Sequence, residues 1–414
     1  MPEAVIVAAA RSPIGRAGKG SLKDVRPDDL AAQIVQAALI QVPELDETEI
    51  DDLMLGCGLP GGQQGFNIAR VVAILAGLDS VAGTTVNRYC ASSVQTTRMA
   101  LHAIRAGEGT AFVSAGVESV TSYALGSSDR WPASVEDQAI DWRNPNLSAA
   151  RQRSAARARG GAPVWTDPRA EGLMPDVYIA MGQTAENVAQ LKGITREQQD
   201  AFACRSQNRA EQARNSGFWE REITPIVLAD GSVVDSDDGI RPGTSIEALA
   251  ALKPVFRPDG TVTAGNACPL NDGAAALIVM SDVRALELGI TPLARVVSTA
   301  VSALSPEIMG LGPVQASQRA LSRAGMNVKD IDLYEINEAF AAQVLPSARE
   351  LGIDDERLNV NGGAIAIGHP FGMTGARITT TMLNSLRSLD RQTGLVTMCV
   401  GGGQGMAMII ERMS

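Results

Sequence analysis

Apolar runs of strand length alternate with segments of helical spacing along most of the chain. Residues 4–10, 112–116 and 395–400 are short apolar runs, and the last two lie beside glycine. Residues 30–39 place their apolar positions at the spacing of an amphipathic helix. Strands that alternate with helices are typical of the α/β class with parallel sheet character. The sequence therefore predicts an α/β fold.

The middle of the chain has a different composition. Residues 127–175 are rich in Arg, Pro, Ser and Asp. One helix is predicted further on, because Thr195 and Gln198 form a capping-box pattern and Gly217 is a stop signal. Cys204 lies on that helix, where we expect it to pack. All four tryptophans of the chain lie between positions 131 and 219: Trp131, Trp142, Trp165 and Trp219. We interpret this middle part of the chain as an inserted lobe outside the core sheet.

A weak internal repeat connects two distant parts of the chain. The segment TVN is followed by Cys90, a helical pattern and the strand AFVSAG. The segment NVN is followed by a glycine-rich turn with His369, a helical pattern and the strand GLVTMC. If these units are duplicated halves that face each other about a pseudo-twofold axis, the turns with Cys90 and His369 meet.

Bulk composition narrows the possible partners and compartment. The chain has 414 residues, which suggests two or three domains or one large duplicated unit. A formal charge of −10 argues against nucleic acid and anionic membranes as general partners. No stretch approaches a membrane span, and the start of the chain reads as a strand instead of a secretory leader. Five scattered cysteines predict free thiols in a reducing, cytoplasmic setting, and only two histidines make a metal site improbable.

Cys90 is the first candidate for chemistry. It lies in NRYCASS, where a β-rich run over residues 84–87 gives way to a helical pattern. The N–H groups and the positive dipole end of a helix N-terminus favour the thiolate there. We therefore expect a nucleophile, although a buried structural cysteine is the alternative for a lone Cys. Two later motifs favour the nucleophile.

His369 and Cys399 lie in those two motifs. His369 follows the glycine-rich stretch GGAIAIG, and Pro370 fixes the chain directly after it, so we expect a functional histidine. Cys399 follows the strand LVTM and precedes VGGGQG. Residues 406–410 read as another strand, so these glycines lack the helix that a dinucleotide fingerprint needs. We expect them to bring backbone N–H groups close to a substrate oxygen.

Asn337 is expected at the end of a strand, in LYEINEAFAAQ. An amide at that place can position a water or donate a hydrogen bond to an oxyanion. Pro346 falls inside the helical pattern that follows, so this helix should kink or stop there.

Seven segments together resemble one protein family. They are RSPIG, NRYCASS, MGQTAEN, TAGNACPLNDGAAA, NEAFAAQ, GGAIAIGHPFGMTGAR and CVGGGQG. The chain resembles the thiolases over essentially its whole length, and the combination of motifs is highly specific. The resemblance implies a duplicated five-layer αβαβα thiolase fold with an inserted loop domain, assembled as a homodimer or homotetramer. We expect the first half at 1–119 plus 270–293, the inserted domain at 120–269 and the second half at 294–414.

The resemblance also implies CoA-dependent thiolytic cleavage of a 3-ketoacyl-CoA, the reverse of a Claisen condensation, through an acyl-cysteine. Cys90 would carry the acyl group, and His369 would activate Cys90 and help bind the thioester oxygen. Cys399 would exchange the proton at the substrate α-carbon or on the incoming thiol. Asn337, through a bound water, would complete the first oxyanion site with His369. The backbone N–H groups of Cys90 and Gly401 would form the second.

Acyl-CoA and CoA are the implied partners, with CoA as a substrate and no permanently bound cofactor or metal. The side chains expected to contact substrate or CoA are those of Met181, Ala264, Cys268 and Phe340. Four arginines of the inserted lobe could meet the phosphates of CoA, although a solvated charged helix fits them equally well: Arg151, Arg153, Arg157 and Arg159.

Departures from the family pattern guide the substrate expectation. Acetoacetyl-specific members often have His before the Met of MGxTAE, where this chain has Ala180, and a common Ser is replaced by Cys268. Pro269 and the stretch PEIMGLGPV resemble degradative 3-ketoacyl thiolases. We therefore expect a role in fatty-acid β-oxidation, with formation of acetoacetyl-CoA by an acetyl-CoA C-acetyltransferase as the alternative.

Two other functions are compatible with the same scaffold. A decarboxylating ketoacyl synthase typically uses Cys-His-His or Cys-His-Asn, and the scarcity of histidine together with Cys399 argues against it. A non-catalytic protein that binds acyl-CoA or lipid is the other alternative. Because the chain keeps all four reactive positions, the sequence favours an enzyme.

Overall fold

The computed structural model describes residues 1–125 and 143–414. Two tryptophans of the predicted inserted lobe, Trp131 and Trp142, lie outside the described residues. The strands of the described part are β1 (Ala4–Arg11), β2 (Gly15–Arg16), β3 (Asp52–Gly56), β4 (Ala82–Val86), β5 (Ala111–Ser119), β6 (Ile226–Val227), β7 (Val233–Val234), β8 (Asn271–Ser281), β9 (Ala294–Ala303), β10 (Leu333–Ile336), β11 (Thr393–Val400) and β12 (Gln404–Arg412).

Helices fill the connections between these strands. They are α1 (Pro27–Leu39), α2 (Ile68–Leu75), α3 (Ser92–Ala106), α4 (Val120–Leu125), α5 (Ser148–Arg157), α6 (Met181–Lys192), α7 (Arg196–Asn215), α8 (Ile246–Ala250), α9 (Asp282–Leu288), α10 (Gly312–Ala324), α11 (Ala341–Leu351), α12 (Ala364–Ile367) and α13 (Thr374–Ser388).

The main sheet has two halves with matching strand order. The first half runs β4-β3-β5-β8-β1, with β3, β4 and β5 parallel and β8 antiparallel to β5. The second half runs β10-β11-β12-β9, with β10 parallel to β11 and β12 antiparallel to it. A parallel bridge from Tyr334 to Leu358 takes the place that β4 has in the first half. The two halves join through a short antiparallel pairing of β1 with β9. The predicted repeat is therefore a feature of the fold.

Alternating side chains of each half-sheet face two different apolar clusters. On β8, Ile278 packs under α1 and α2, whereas its neighbour Leu277 faces α3 and α13. On β11, Leu395 packs under α10 and α11, whereas Val396 faces α3 and α13. Strands buried on both faces read as continuous apolar runs, as these do in the sequence. The layers are therefore αβαβα, with α3 and α13 in the middle, which confirms the predicted thiolase fold.

The described residues between 120 and 269 contribute helices α4 to α8 and the small β6–β7 pair, and no strand of the main sheet. Among these helices, α7 begins with the predicted capping box of Thr195 and Gln198. Cys204 on α7 is half-buried against a third apolar cluster, the one in which Leu395 of β11 packs under α10 and α11, and its sulfur lies 3.2 Å from the Thr244 carbonyl oxygen. The expected domain boundaries stay a prediction.

The sequence predicted that the helix with Pro346 would kink or stop there, and the structure excludes the stop. Pro346 lies inside α11, which does not stop there but continues to Leu351. Pro346 is buried, and the packing of α11 in the third apolar cluster outweighs the missing N–H. Across residues 1–125 and 143–414, no helix is long and apolar enough to cross a membrane.

The first turns of α3 and α13 contact each other in the middle layer. Ser93 at the start of α3 accepts a hydrogen bond from the Ala376 N–H (2.8 Å) and donates one to the Met373 carbonyl (3.2 Å). A Cβ atom on Gly375 would lie 2.4 Å from the Val94 nitrogen, which is closer than real Cβ contacts. The turns that precede the two helices are thereby brought together.

We predict that Gly375→Ala lowers the free energy of unfolding by about 1–3 kcal/mol, because the added methyl group overpacks the contact between α3 and α13. Urea unfolding followed by circular dichroism measures this. Ser388→Ala at the exposed end of α13 is the control, with an expected change within about 0.5 kcal/mol. Equal stability of both variants would contradict the proposed tightness of this contact.

Candidate active site

A strained turn holds Cys90 between β4 and α3. The preceding residue, Tyr89, has a φ of +43°, in the left-handed region that non-glycine residues seldom adopt. The Asn87 carboxamide oxygen accepts a hydrogen bond from the Tyr89 N–H at 2.8 Å. Ser92 donates to the Tyr89 carbonyl (2.6 Å) and accepts from the Arg88 N–H (2.9 Å). These bonds fix Cys90 at the helix N-terminus, as predicted.

The expectation of a resting thiolate at Cys90 is wrong. Burial raises the pKa of its thiol to about 12, although the N–H groups of Gly401 and of Cys90 itself act in the opposite direction. The nearby carboxylate of Glu118 raises this pKa further. Desolvation therefore outweighs the helix N-terminus, and the resting group is a thiol. The two N–H groups that act on the sulfur are the pair predicted for the second oxyanion site.

His369 is buried in the turn before α13, and its orientation is fixed from two sides. Its backbone N–H donates to the Asn271 side chain at 3.0 Å. Its Nδ1 lies 2.6 Å from the Thr374 hydroxyl, which itself donates to the Pro370 carbonyl at 2.7 Å. The hydroxyl hydrogen is thus used, so Nδ1–H donates to Thr374 and Nε2 keeps its lone pair. Burial, with a smaller effect from Arg377, lowers the pKa of His369 to about 3.

Asn337 follows the end of β10, as predicted, and lies against the His369 ring. Its amide nitrogen is 3.4 Å from Nδ1 and 3.3 Å from Nε2. Such equal distances place the amide against the ring, not in line with one lone pair. The Asn337 side-chain oxygen is buried and has no hydrogen-bond partner in the structure. A buried acceptor without a partner is costly, which fits a group that receives a donor during the reaction.

Three thiols share the same site. Cys399 lies buried near the end of β11, and burial raises its pKa, with further increases from Cys90 and Cys268. Burial also raises the pKa of Cys268, and Cys90 again adds to this effect. Each sulfur therefore senses the charge of the others. The structure brings Cys90 and Cys399 together, and Cys268 with them.

Three of the four expected substrate-binding residues lie around Cys399. Phe340 and the half-buried side chains of Met181 and Cys268 belong to the same small apolar cluster. The Cys268 N–H donates to the Ala339 carbonyl at 3.1 Å, which holds this segment beside Phe340. Ala264 lies exposed on the loop before them and is not part of the cluster.

The four arginines of the inserted lobe differ in their surroundings. Arg153 donates to the Met174 carbonyl, and Arg157 donates to the Pro163 carbonyl at 2.9 Å. Arg151 is half-buried and Arg159 is exposed. Two of them therefore hold the lobe together, and a role with CoA phosphates stays a prediction. Within the described ranges, no group of three or more His, Cys, Asp or Glu side chains could hold a metal ion.

Sequence reasoning missed two residues that shape the site. Thr374 selects the tautomer of His369, and its hydroxyl carried no signal beyond its place five residues after the histidine. Glu118 is a fully buried carboxylate at the end of β5. An acidic residue inside the apolar run AFVSAGVES was a usable signal, because a carboxylate seldom lies in a buried strand without a partner.

A half-buried thiol at a helix N-terminus, N–H groups beside its sulfur and an imidazole with a free Nε2 define a cysteine-based acyl-transfer enzyme. Comparisons with known proteins agree. Residues 4–283 match the family model "Thiolase, N-terminal domain" and residues 290–412 match "Thiolase, C-terminal domain". The chain belongs to the thiolase family. It is an acyltransferase, and CoA-dependent thiolytic cleavage is its reaction.

Several relatives are similar over the full length. The 3-oxoadipyl-CoA/3-oxo-5,6-dehydrosuberyl-CoA thiolase of Escherichia coli K12 is 44% identical over 100% of both chains. The 3-ketoacyl-CoA thiolase of Bacillus subtilis is 42% identical over 99% of this chain and 100% of its own. The crystal structure of the Bacillus anthracis acetyl-CoA acetyltransferase has a TM-score of 0.85 and 39% identity, with 100% of this chain and 99% of that chain covered.

The lowered pKa of His369 makes a prediction for stability. The unfolded chain binds a proton at this histidine below its ordinary pKa of about 6.5, whereas the folded chain does so only near 3. Stability from His369 is therefore present above pH 6.5 and is lost as pH falls, by up to about 1.4 kcal/mol per pH unit. Urea unfolding between pH 7 and pH 5 should show a smaller loss for His369→Gln than for the wild type. Equal losses would contradict a neutral buried imidazole.

Proposed function

We propose that this thiolase cleaves 3-ketoacyl-CoA substrates longer than acetoacetyl-CoA, with Cys90 as the nucleophile. The proposal rests on three observations: Cys90 acts on the pKa of Cys399, the Asn337 amide lies against the His369 ring, and the Asn337 N–H donates to the Thr397 carbonyl two residues before Cys399 (2.9 Å). The Cys90 thiol passes its proton to Nε2 of His369 while its sulfur attacks the 3-keto carbon, and the bond between C2 and C3 then breaks. The leaving carbanion of acetyl-CoA takes a proton from Cys399, and the shortened acyl group stays on Cys90 as a thioester.

The second half-reaction regenerates the enzyme. Cys399 takes the proton of the incoming CoA thiol, whose sulfur then attacks the acyl-Cys90 thioester. The Cys90 sulfur leaves and regains its proton from His369, whose Nε2 is the free ring nitrogen. Two cysteines thus divide the work, one as the carrier of the acyl group and the other as the acid and base.

Negative charge develops on a carbonyl oxygen in both half-reactions. We assign the N–H groups of Cys90 and Gly401 to one such oxygen, and His369 with an Asn337-bound water to the other. The unpartnered Asn337 oxygen supports the second assignment. One preorganised donor of this kind contributes about 3–4 kcal/mol to the transition state. These side chains and N–H groups supply all the chemistry of the proposed reaction, which therefore needs no permanently bound cofactor.

A cavity next to the glycine-rich turn at residues 401–403 supports the proposal that the enzyme takes acyl chains longer than acetyl. It has a volume of about 550 Å³, and its apolar lining includes Leu147, Met174, Leu304 and Pro306. Val177, which also lines it, lies 3.9 Å from where a Cβ of Gly402 would be, one residue beyond Gly401. An acyl chain that leaves Cys90 past this turn would reach the cavity. We therefore propose a degradative role in β-oxidation, with formation of acetoacetyl-CoA as the alternative.

We also propose a cytoplasmic homo-oligomer, a dimer or a tetramer. The five cysteines are all free thiols, which suits a reducing compartment. At the edge of the first half-sheet, β4 has no outer neighbour among the described strands and is largely accessible. Beside it, the Phe66 side chain is 96% exposed. An open edge strand with an exposed aromatic residue is a surface that a second copy would cover.

The first prediction from the proposed function concerns the nucleophile. Cys90→Ala should abolish thiolysis and the covalent acyl adduct that mass spectrometry detects in the wild type, while circular dichroism stays unchanged. Cys204→Ala, which changes a half-buried thiol on α7, is the matched control and should keep both. Near-full thiolysis by the Cys90 variant would overturn the assignment.

The second prediction concerns the substrate. In a thiolysis assay, kcat/KM should be higher for 3-ketoacyl-CoA substrates of six or more acyl carbons than for acetoacetyl-CoA. The panel of substrates includes 3-oxoadipyl-CoA, because the Escherichia coli relative is named for this substrate. A preference for acetoacetyl-CoA would support the alternative acetyltransferase. Tight acyl-CoA binding without turnover or adduct would support a binding protein.

The third prediction concerns assembly. Phe66→Asp should shift the protein towards monomers in size-exclusion chromatography with light scattering. Asp tolerates the left-handed backbone at this position (φ 54°), so the fold should persist. Leu286→Asp on α9, where the wild-type side chain is 82% exposed, is the control and should leave the assembly unchanged. The same mass for both variants and the wild type would contradict an interface at β4.

A further inference from the structure

Glu118 lies at the end of β5 as a fully buried carboxylate that the proposed reaction does not use. One of its oxygens accepts hydrogen bonds from the N–H groups of Gly58 (2.7 Å) and Gly372 (2.8 Å). The other accepts from the Leu59 N–H (3.0 Å) and the Gln64 amide (3.3 Å). The carboxylate therefore joins two segments that are distant in sequence.

Both segments border the reacting groups. Gly372 belongs to the turn that carries His369. Gly58 follows β3, and a Cβ atom added to it would lie 2.9 Å from the Phe371 Cβ and 3.5 Å from the Tyr89 carbonyl carbon. The segment at Gly58 thus fills the space between the His369 turn and the residue before Cys90. Backbone packing is equally close at Gly372, where a Cβ would meet the Val117 oxygen at 2.3 Å.

We propose that Glu118 is a positioning residue that holds the turn with His369 in place beside the turn with Cys90. This inference rests on the proposed roles of Cys90 and His369. Both carboxylate oxygens accept N–H groups, so the site is built for the ionised form. Burial nevertheless raises the pKa of Glu118 to about 7, which the N–H groups of Gly372, Gly58 and Leu59 oppose. The charge also acts on Cys90, whose thiolate it disfavours.

A glutamine cannot replace this carboxylate without loss. Its single carbonyl oxygen can accept from Gly58 and Gly372, but its NH₂ group would then face the Leu59 N–H and the Gln64 amide. Two donors opposed to each other push the segments apart. A displacement of this kind costs up to about 100-fold in rate when it misplaces reacting groups by 1 Å.

The test compares Glu118→Gln with Asp51→Asn. Asp51 also binds backbone N–H groups of this region, those of Thr110 and Ala111 (3.1 Å), but at the opposite end of β5. We expect Glu118→Gln to lower kcat for thiolysis by about 10- to 100-fold with little change in KM. Asp51→Asn should keep the wild-type kcat. Wild-type kcat in a folded Glu118→Gln protein would overturn the proposal.

Alkylation of Cys90 by iodoacetamide gives a readout that needs no turnover. Removing the charge of Glu118 should shift the pH profile of this reaction to lower pH, which a purely structural loss elsewhere would not do. If the wild type shows no thiolysis, the proposed function fails, but the alkylation profile still tests Glu118. An unchanged profile would overturn the coupling of Glu118 to Cys90.

Gly58→Ala provides a second route should Glu118→Gln fail to fold. The added Cβ would lie 2.8 Å from the Glu118 oxygen and 2.9 Å from the Phe371 Cβ, so it disturbs the same junction and keeps the carboxylate. Gly58 has no positive φ, so the backbone tolerates alanine. We expect a lower kcat with an unchanged KM. A folded Gly58→Ala protein with wild-type kcat would overturn the proposal.

Discussion

The contact between the first turns of α3 and α13 is the constraint on which the rest of the structure depends. The proposed nucleophile Cys90 and the proposed base His369 come from different halves of the fold, so neither local sequence nor one half alone can bring them together. Backbone must approach backbone there, because a Cβ on Gly375 of α13 would meet the Val94 nitrogen of α3 at 2.4 Å. Ser93 then closes the contact with two hydrogen bonds to the opposite helix. The duplicated fold thereby places the N-termini of α3 and α13 next to each other.

Most of this architecture could be predicted from the sequence, because its strongest signals are local. Strands buried on both faces give continuous apolar runs, and the capping box at Thr195 marks the start of α7. The repeat of strand, turn and helix was visible on both sides of Cys90 and His369. Pro346 shows the limit of such rules, since packing on both sides keeps α11 intact past a residue that normally ends a helix.

The electrostatics of the site could not be predicted in the same way. Proximity to a helix N-terminus is visible in a sequence, whereas the depth of burial that opposes it is a property of the whole fold. At Cys90 the second effect is the larger, so the sign of the pKa shift is opposite to the expected one. The role of Glu118 was hidden for a related reason, because its partner Gly372 lies in a segment that only the folded chain brings close.

Cys90 and His369, the two groups proposed for catalysis, are both neutral at rest. This limits how the Cys90 thiol can be activated. The pKa of Cys90 is raised to about 12 and that of His369 is lowered to about 3, so a thiolate–imidazolium pair is strongly disfavoured. Proton transfer is therefore favourable only when the new negative charge passes directly to a substrate oxygen held by N–H donors. A thiol of this kind reacts more slowly with electrophiles other than the substrate than a free thiolate would. The burial that disfavours this ion pair thus confines the proposed reaction to substrates that fill the oxyanion sites.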